Sequence, residues 1–272
     1  MKERGSQQSL FATRYSLFAI PFALGVAVLA AWEFLVRHYG VPAIVLPPPS
    51  AIWAAFAGNF ASLMASLWVT FSVTLVAMAA AFAGGLLLAV IFSQSRLVEA
   101  ALYPYAVVLQ VTPVIAVTPL ILIWVGFDRI DLVLVIIAWM IAFFPVLANT
   151  TLGLKSADHN LIDLFRLYGA SRWQILTRLQ MPTALPYLLG AMRVSGGLAL
   201  IGVVTAEMVA GSGAATGLGW RIIEAGNRLE IAKMFAALAL LSILGIAIFF
   251  ALSLLEWATL HRWHESAVKK QG

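Results

Sequence analysis

Cysteine is absent from the 272-residue sequence, and charged residues make up only 11% of it. The lack of thiols excludes a disulfide framework, a thiolate metal site and a cysteine nucleophile. The shortage of charge, beside 62% hydrophobic residues, excludes a soluble domain, because such a chain would expose large apolar patches to water. Lys and Arg are scattered, so no basic run of the nucleic-acid-binding type is present. The composition predicts an integral membrane protein in contact with lipid.

The chemistry of common catalytic sites is also missing. The four histidines lie outside the apolar runs, which leaves an intramembrane Ser/His protease without a base. His261 and His264 have metal-ligand spacing, but beside Trp263 and a basic tail we interpret them as a membrane-interface anchor. The glycine-rich stretch at 211–219 lacks the lysine of a phosphate-binding loop. We therefore expect no catalysis, ATP hydrolysis, cofactor or metal in this chain.

Six apolar runs predict an all-α polytopic membrane protein with six transmembrane helices. Each run provides roughly the 20 residues that cross a hydrocarbon core of about 30 Å. The runs must be helical because lipid offers no partners to backbone N–H and C=O groups. The first run exceeds the about 7 to 15 apolar residues of a secretory signal, which favours an uncleaved helix. The predicted spans are 17–36, 62–92, 100–125, 132–154, 184–209 and 233–257.

Proline marks the connection between the first and second spans. Four prolines within 41–50 exclude a helix there and predict an extended outer segment. Residues 51–60 then predict a short interfacial helix with Trp53 and Phe56 on one face. The chain is thus expected to comprise an N-terminal helix with its outer segment, a membrane core and a cytoplasmic tail, over 1–60, 61–257 and 258–272.

The distribution of Lys and Arg predicts the orientation. With the N-terminus inside, eleven of these residues fall on inner segments: Lys2, Arg4, Arg14, Arg96, Lys155, Arg166, Arg172, Arg178, Arg262, Lys269 and Lys270. Five fall on outer segments: Arg37, Arg129, Arg221, Arg228 and Lys233. Cytoplasmic loops carry the excess of positive charge, so both termini are expected in the cytoplasm.

A polar segment at 163–182 interrupts the apolar pattern between the fourth and fifth spans. A short amphipathic helix is predicted from apolar residues at three- and four-residue steps: Leu161, Leu164, Phe165 and Tyr168. Gly169 supplies the left-handed residue that commonly ends a helix. Ser171 and Gln174 form a capping box that starts a second helix. Two prolines are expected to stop or bend that helix before the fifth span: Pro182 and Pro186.

This segment resembles the cytoplasmic loop of binding-protein-dependent ABC importer permeases. That family's loop has an acidic residue and two alanines, a glycine after three further residues, and a closing Leu-Pro, and the spacing here is the same. The bulky Leu164-Phe165 pair replaces the two alanines. The resemblance implies a coupling loop at 155–183 that contacts an ABC ATPase subunit through Asp163, Leu164, Phe165, Arg166, Gly169, Ala170, Ser171 and Pro182.

Further segments at 46–50, 118–126, 143–150 and 206–208 resemble the nitrate/sulfonate/taurine branch of that family, which includes permeases for pyrimidine and flavin precursors. The resemblance covers about residues 45–255. It implies a multi-pass protein of the bacterial inner membrane. It further implies two ATPase subunits, a second permease copy that forms a homodimer, and an external solute-binding protein as partners.

Polar residues within the spans are candidates for a translocation path. An ionised side chain at the bilayer centre costs at least about 2.5 kcal/mol, so Glu33 and Glu207 should face protein, water or the interface. The candidate path residues are Gln110, Thr118, Asn149 and Glu207. For Glu207 a structural role, as a hydrogen-bond acceptor that holds the glycine-rich turn, is an open alternative. The weakly charged spans slightly favour an uncharged or aromatic solute.

Two other functions remain open from the residues alone. A secondary transporter would work without an ATPase, but it should show internal repeats and ionisable residues near the midplane, and neither is evident here. A membrane scaffold that transports nothing would need only the inner loop. Copurification of an ATPase with the loop would favour the importer, whereas uptake by the isolated chain would favour the secondary transporter.

Overall fold

The computed structural model describes residues 3–210 and 216–261, with side chains from residue 19 onward, and within these ranges it contains helices but no strand. The all-α prediction is confirmed. The helices are α1 (Glu3–His38), α2 (Pro49–Gly58), α3 (Phe60–Gln94), α4 (Arg96–Val111), α5 (Val114–Val125), α6 (Ile130–Lys155), α7 (His159–Leu167), α8 (Arg172–Ile175), a π-helical segment (Leu176–Gln180), α9 (Met181–Ala210), α10 (Leu218–Asn227) and α11 (Ile231–Leu260).

Membrane spans follow from helix length and composition. Five single helices or continuous helical runs are long and apolar enough to cross a bilayer: Ala19–His38, Phe60–Gln94, Ile130–Lys155, Arg172–Ala210 and Ile231–Leu260. A sixth span results if α4 and α5, which are bent by 101° at their junction, cross the membrane as a pair. The multi-pass membrane protein predicted from the sequence is therefore confirmed.

The third predicted span, 100–125, is made of two helices, α4 and α5, that meet at the bend. The helix is interrupted at Thr112 and Pro113, between the end of α4 and the start of α5. Proline disfavours helical geometry in the residue before it, and Thr112 is accordingly extended with ψ 125°. Pro119 lies inside α5 and does not interrupt it. The break therefore comes from one proline.

Contacts between Cα atoms divide the chain into two compact units. The first unit comprises residues 1–60 and 224–236, and the second comprises 61–223 and 237–272. In the first unit, Glu33 accepts hydrogen bonds from the backbone N–H (3.0 Å) and hydroxyl (2.8 Å) of Ser50. Because Ser50 lies in the first turn of α2, Glu33 satisfies an N–H that has no partner within that helix.

The short helix predicted at 51–60 is present as α2, two residues earlier in the chain, with Trp53 and Phe56 side by side at 5.4 Å between ring centroids. Pro49 occupies its first position, where a proline costs no hydrogen bond.

Close packing in the second unit depends on small residues. Gly202 on α9 lies so near α6 that a Cβ at this position would meet the Cα atom of Ala138 at 2.7 Å. Ser195 on α9 donates a hydrogen bond to the carbonyl of Ala142 on α6 (2.7 Å). Short side chains let helix backbones approach closely where no hydrophobic driving force acts between them, so α6 and α9 form the centre of this unit.

Candidate functional site

The helix of the 163–182 segment is α7, and local hydrogen bonds define both of its ends. Asp158 precedes it and accepts a hydrogen bond from the backbone N–H of Asn160 (2.8 Å). At the other end Gly169 donates to the carbonyl of Arg166, and Ala170 donates to that of Phe165, each at 2.9 Å. This pair of bonds is the Schellman motif. Gly169 has φ +72°, so the predicted left-handed turn is confirmed.

The second short helix also begins as predicted. The Ser171 hydroxyl accepts from the backbone N–H of Gln174 (3.3 Å), and the Gln174 side chain accepts from the backbone N–H of Ser171 (2.7 Å). The capping box is confirmed. Only Tyr168, Gly169, Ala170 and Ser171 separate α7 from α8, and most of their backbone polar groups are used in the two caps. The turn is therefore rigidly specified by local chemistry.

The predicted stop at Pro182 and Pro186 is wrong. Helical structure continues from Arg172 through the π-helical segment and α9 to Ala210. In the π-helical segment the N–H of Met181 bonds to the carbonyl of Leu176, five residues earlier. A π-helical turn inserts one extra residue into a helix, and it accommodates the missing donor of Pro182 without a break. The loop and the fifth span thus form one continuous helical element from Arg172 onward.

The outward surface of this turn is apolar. None of the α7 residues is buried, and Ile162 and Phe165 are half-buried. The predicted apolar face is therefore only partly covered. Four apolar side chains of the turn are exposed by 44 to 85%: Leu161, Leu164, Leu167 and Tyr168. Trp173 on α8 is 67% exposed. Contiguous exposed apolar side chains mark interaction sites more often than singly scattered ones do.

The charged residues of α7 add little stability. Arg166 and Asp163 form an ion pair of 3.1 Å, but both side chains are about two-thirds exposed. Exposed pairs of this kind contribute roughly 0 to 1 kcal/mol. Their charge is available to another molecule at the surface.

Two of the candidate path residues are exposed in the protomer. Gln110 lies on α4 just before the bend, and Asn149 lies on α6, where its side chain donates to the carbonyl of Pro145 (2.8 Å). Thr118 is buried on α5 and bonds within its own helix, to the carbonyl of Val114 (2.8 Å). The structure does not bring these three side chains into one hydrogen-bonded site.

Glu207, the fourth candidate, lies in a closed cluster of buried polar groups. One carboxyl oxygen accepts from the Thr70 hydroxyl (2.8 Å), and the other accepts from the backbone N–H of Gly219 (2.7 Å). The Thr70 hydroxyl in turn accepts from the backbone N–H of Leu218 (2.8 Å). Glu207 and Thr70 have no exposed surface. The cluster therefore satisfies the first N–H groups of α10, which nothing within that helix can satisfy.

A second bond ties α10 to α3. Arg221 donates from its Nε atom to the hydroxyl of Ser66 (2.9 Å), which is one helical turn from Thr70. Sequence reasoning missed both α3 residues. Their signal was a polar stripe at four-residue spacing within an apolar span, at Ser66, Thr70 and Thr74, which places three hydroxyls on one helix face.

The glycine-rich stretch supports the same cluster from the other side. Residues 211–215 lie outside the described part of the chain, but Gly217 and Gly219 are described. A Cβ on Gly217 would collide with the carboxyl group of Glu207, and one on Gly219 would meet the carbonyl of Val204 at 2.7 Å. Glycine is therefore required at both positions by close approach.

The described residues contain no group of three or more His, Asp or Glu side chains that could hold a metal ion. His261 stacks on Trp257 at 4.5 Å between ring centroids, whereas His264 lies outside the described residues. The expected interface anchor at the end of α11 stays a prediction.

Comparison with known families and curated proteins gives consistent results. Residues 81–259 match the family model described as "Binding-protein-dependent transport system inner membrane component". The chain is 35% identical to the riboflavin transport system permease protein RibX of Chloroflexus aurantiacus over 268 residues, which is 95% of each chain. It is 30% identical to the formylaminopyrimidine transport permease protein ThiX of Halalkalibacterium halodurans, over 87% of this chain and 92% of that one.

Solved structures share the fold. A chain from inward-facing conformations of the MetNI methionine ABC transporter superposes with a TM-score of 0.62 and 23% identity, covering 75% of this chain and 98% of that one. A chain from an amino acid ABC transporter superposes with a TM-score of 0.63 and 17% identity, covering 76% and 98%. At this identity the likeness concerns the fold alone.

Proposed function

Because the chain belongs to the family of binding-protein-dependent transport system inner membrane components, we propose that its 163–182 segment is the loop through which an ATPase subunit drives it. The chain is a permease subunit of an ABC importer in the cell membrane, and the ATPase resides on a separate partner chain. Family membership also implies an external binding protein as partner. Because of this family membership, we do not propose a secondary transporter that works without an ATPase.

One observation carries the coupling assignment: a rigid turn presents apolar side chains to solvent between two spans. Leu164, Leu167 and Tyr168 are exposed on α7, although a short helix gains stability chiefly by burying such residues. A partner surface would bury them. The caps at Gly169 and Ser171 hold the turn in one shape, so force applied to α7 reaches α8 with little loss. The continuous helix from Arg172 to Ala210 then carries the movement into the membrane.

The orientation that this role requires has support from the charge distribution. Eleven Lys and Arg residues fall on the side of the 163–182 segment and five on the opposite side. This bias supports a cytoplasmic position for the segment and both termini, where a soluble ATPase is available.

Two copies of the chain would form the pathway as a homodimer. Exposed polar side chains on α4 and α6 suit a water-lined surface between two copies. We assign Gln110 and Asn149 to that surface, because both are exposed and uncharged. In this proposal Thr118 and Glu207 support helix ends and packing, since both are buried with their hydrogen bonds satisfied.

The solute we propose is a neutral heteroaromatic compound. RibX is named for riboflavin and ThiX for formylaminopyrimidine, and both are similar to this chain over most of its length. The two amide side chains of the proposed path offer hydrogen bonds to such a compound without a charge that would demand a counter-ion. Ligand identification on the cognate binding protein tests this assignment, and a purely aliphatic or ionic ligand would contradict it.

The coupling assignment is tested at Gly169. No atom lies within 4 Å of a Cβ built there, so a substitution acts through the backbone and not through a clash. Val disfavours left-handed φ by roughly 1–2 kcal/mol, whereas Asn tolerates it. We expect Gly169→Val to lower ATP-driven uptake by about tenfold in proteoliposomes that contain the partner ATPase and binding protein. Gly169→Asn should retain most of the uptake.

Membrane insertion and ATPase copurification are measured for both variants. Normal uptake by Gly169→Val would overturn the assignment. So would an ATPase that copurifies equally well with a chain whose 163–182 segment has been replaced by a flexible linker.

A further inference from the structure

A polar cavity lies on the side of α7 that faces the membrane helices. Its volume is about 890 Å³. Its walls come from the end of α3, from α4, from the end of α6, from α7 and from the π-helical segment. The charged and titratable side chains that line it are Arg96, Glu99, Lys155, His159 and Arg166.

The charges in this cavity do not balance. Glu99 is the only carboxylate among the lining residues, and it is paired with Lys155 at 2.6 Å. Arg96 is left as an excess of one positive charge. Arg166 is paired with Asp163, which does not line the cavity and is exposed. His159 also lines the cavity, and its ring offers a further hydrogen-bonding group.

Arg96 is the least compensated cation of the group. It forms no ion pair with any residue in the described ranges. It is also the first residue of α4, where the aligned peptide dipoles place a positive potential. A cation at that end of a helix is unfavourable for stability, and a bound anion would offset this cost.

We propose that the cavity binds a phosphate group, either on the headgroup of an anionic phospholipid or on a soluble phosphate compound. Two guanidinium groups match the geometry of phosphate oxygens, which they bind in a bidentate manner. The unpaired charge of Arg96 complements a phosphate that carries one negative charge, and Arg166 adds donors beside it. Ala100, Tyr103 and Pro104 form a less polar wall beside the cations, which suits the organic part of a phosphate ester.

The bound phosphate would join two elements that otherwise share few contacts. Arg96 belongs to α4, which leads into the bent third span, and Arg166 belongs to α7, the proposed site of ATPase contact. A phosphate held between them ties the coupling helix to the membrane helices. This consequence for coupling rests on the proposed function, whereas the binding site itself does not.

The site is tested with the purified permease–ATPase complex in nanodiscs. Native mass spectrometry measures how much phosphatidylglycerol stays bound after washing with phosphatidylcholine. Arg96→Gln should reduce retention by about tenfold. Arg129→Gln is the matched control, because it removes the same charge from an exposed loop at the other end of α5 and α6, and it should leave retention unchanged.

A second arm distinguishes the source of the phosphate. In nanodiscs of phosphatidylcholine alone, inorganic phosphate at millimolar concentration should slow hydrogen exchange in α7 if the ligand is soluble. Phosphatidylglycerol retention without this protection identifies a lipid headgroup. Absence of both effects, or equal loss in the Arg96 and Arg129 variants, overturns the proposal.

Failure of the site is separable from failure of the proposed function. ATP-driven uptake is measured in proteoliposomes that contain phosphatidylglycerol, with the binding protein present. Normal uptake together with no phosphate binding overturns only the phosphate site, whereas normal phosphatidylglycerol retention together with full uptake by Gly169→Val overturns only the coupling role.

Discussion

At the residue scale, the closed cluster around Glu207 explains how an acidic side chain is tolerated in an apolar helix. Each carboxyl oxygen has a donor, and the Thr70 hydroxyl both donates and accepts. Burying a polar group destabilises the fold chiefly when the group lacks a hydrogen-bond partner. Because these groups are all paired, the cluster links α3, α9 and the start of α10 through specific hydrogen bonds. Every member is needed, because removing one leaves another unsatisfied.

Thr70→Val tests this link. The variant keeps the shape of the side chain but leaves the Leu218 N–H and one Glu207 oxygen without partners, at a cost of about 2 kcal/mol. Thr74→Val is the matched control, since its buried hydroxyl bonds only to the carbonyl of Thr70 in its own helix (2.6 Å). We expect thermal unfolding in detergent to occur about 5 °C lower for Thr70→Val than for Thr74→Val. Equal unfolding temperatures would show that the cluster contributes no stability.

At the element scale, small residues decide where helices approach. Gly84 and Gly85 are neighbours on α3, yet their surroundings differ. A Cβ on Gly85 would meet Val146 at 2.8 Å and the backbone nitrogen of Leu147 at 3.1 Å. A Cβ on Gly84 would meet Phe143 at an ordinary contact distance of 3.5 Å. The pairing of α3 with α6 therefore depends on one glycine of the two.

Alanine at the two positions should have opposite effects. Both variants gain roughly 1 kcal/mol of helix propensity, because alanine favours helix over glycine by that amount. Gly84→Ala keeps this gain. Gly85→Ala must displace α6 backbone, and overpacking of this kind typically costs about 1–3 kcal/mol. We expect Gly84→Ala to raise the unfolding temperature of the purified protein and Gly85→Ala to lower it. A higher unfolding temperature for Gly85→Ala would mean that α3 and α6 are less closely packed.

The π-helical segment has its effect at the same scale. It lies between α8 and α9, and Pro182 is the second residue of α9. Because the helix continues, the turn at Gly169 is attached to the fifth span by backbone hydrogen bonds and not by a loose linker. Pro182 predicted a break in the helix, but the extra residue of the π-helical segment lets the helix continue through it.

At the scale of the whole molecule, the orientation in the membrane decides which surfaces face the cytoplasm and which face the outside. The 163–182 segment and the phosphate cavity belong to the cytoplasmic side in our proposal, whereas the loop between α5 and α6 belongs to the outer side. The chain has no cysteine, so single cysteines report position without background.

Labelling with a membrane-impermeant maleimide tests this orientation. Leu167→Cys on α7 and Phe127→Cys in the opposite loop are both exposed positions, at 85% and 64%. In spheroplasts that express the permease alone, Phe127→Cys should label at once and Leu167→Cys only after permeabilisation, because positive charge retains its side of the chain in the cytoplasm. The cysteine-free wild type is the control. The reverse pattern would invert the topology and remove the 163–182 segment from reach of an ATPase.

Local features of this protein were determined by the sequence alone. Long apolar runs require helices in lipid, the Gly169 turn and the Ser171 capping box involve residues within a few positions of each other, and the shortage of charge excludes a soluble fold. Tertiary structure decided the rest. Only the folded chain shows which prolines interrupt a helix: Pro113 stands at the 101° bend, whereas a π-helical turn carries the helix through Pro182. The contact of Thr70 with Glu207 joins residues 137 positions apart, and only the packing of α3 against α9 brings them together.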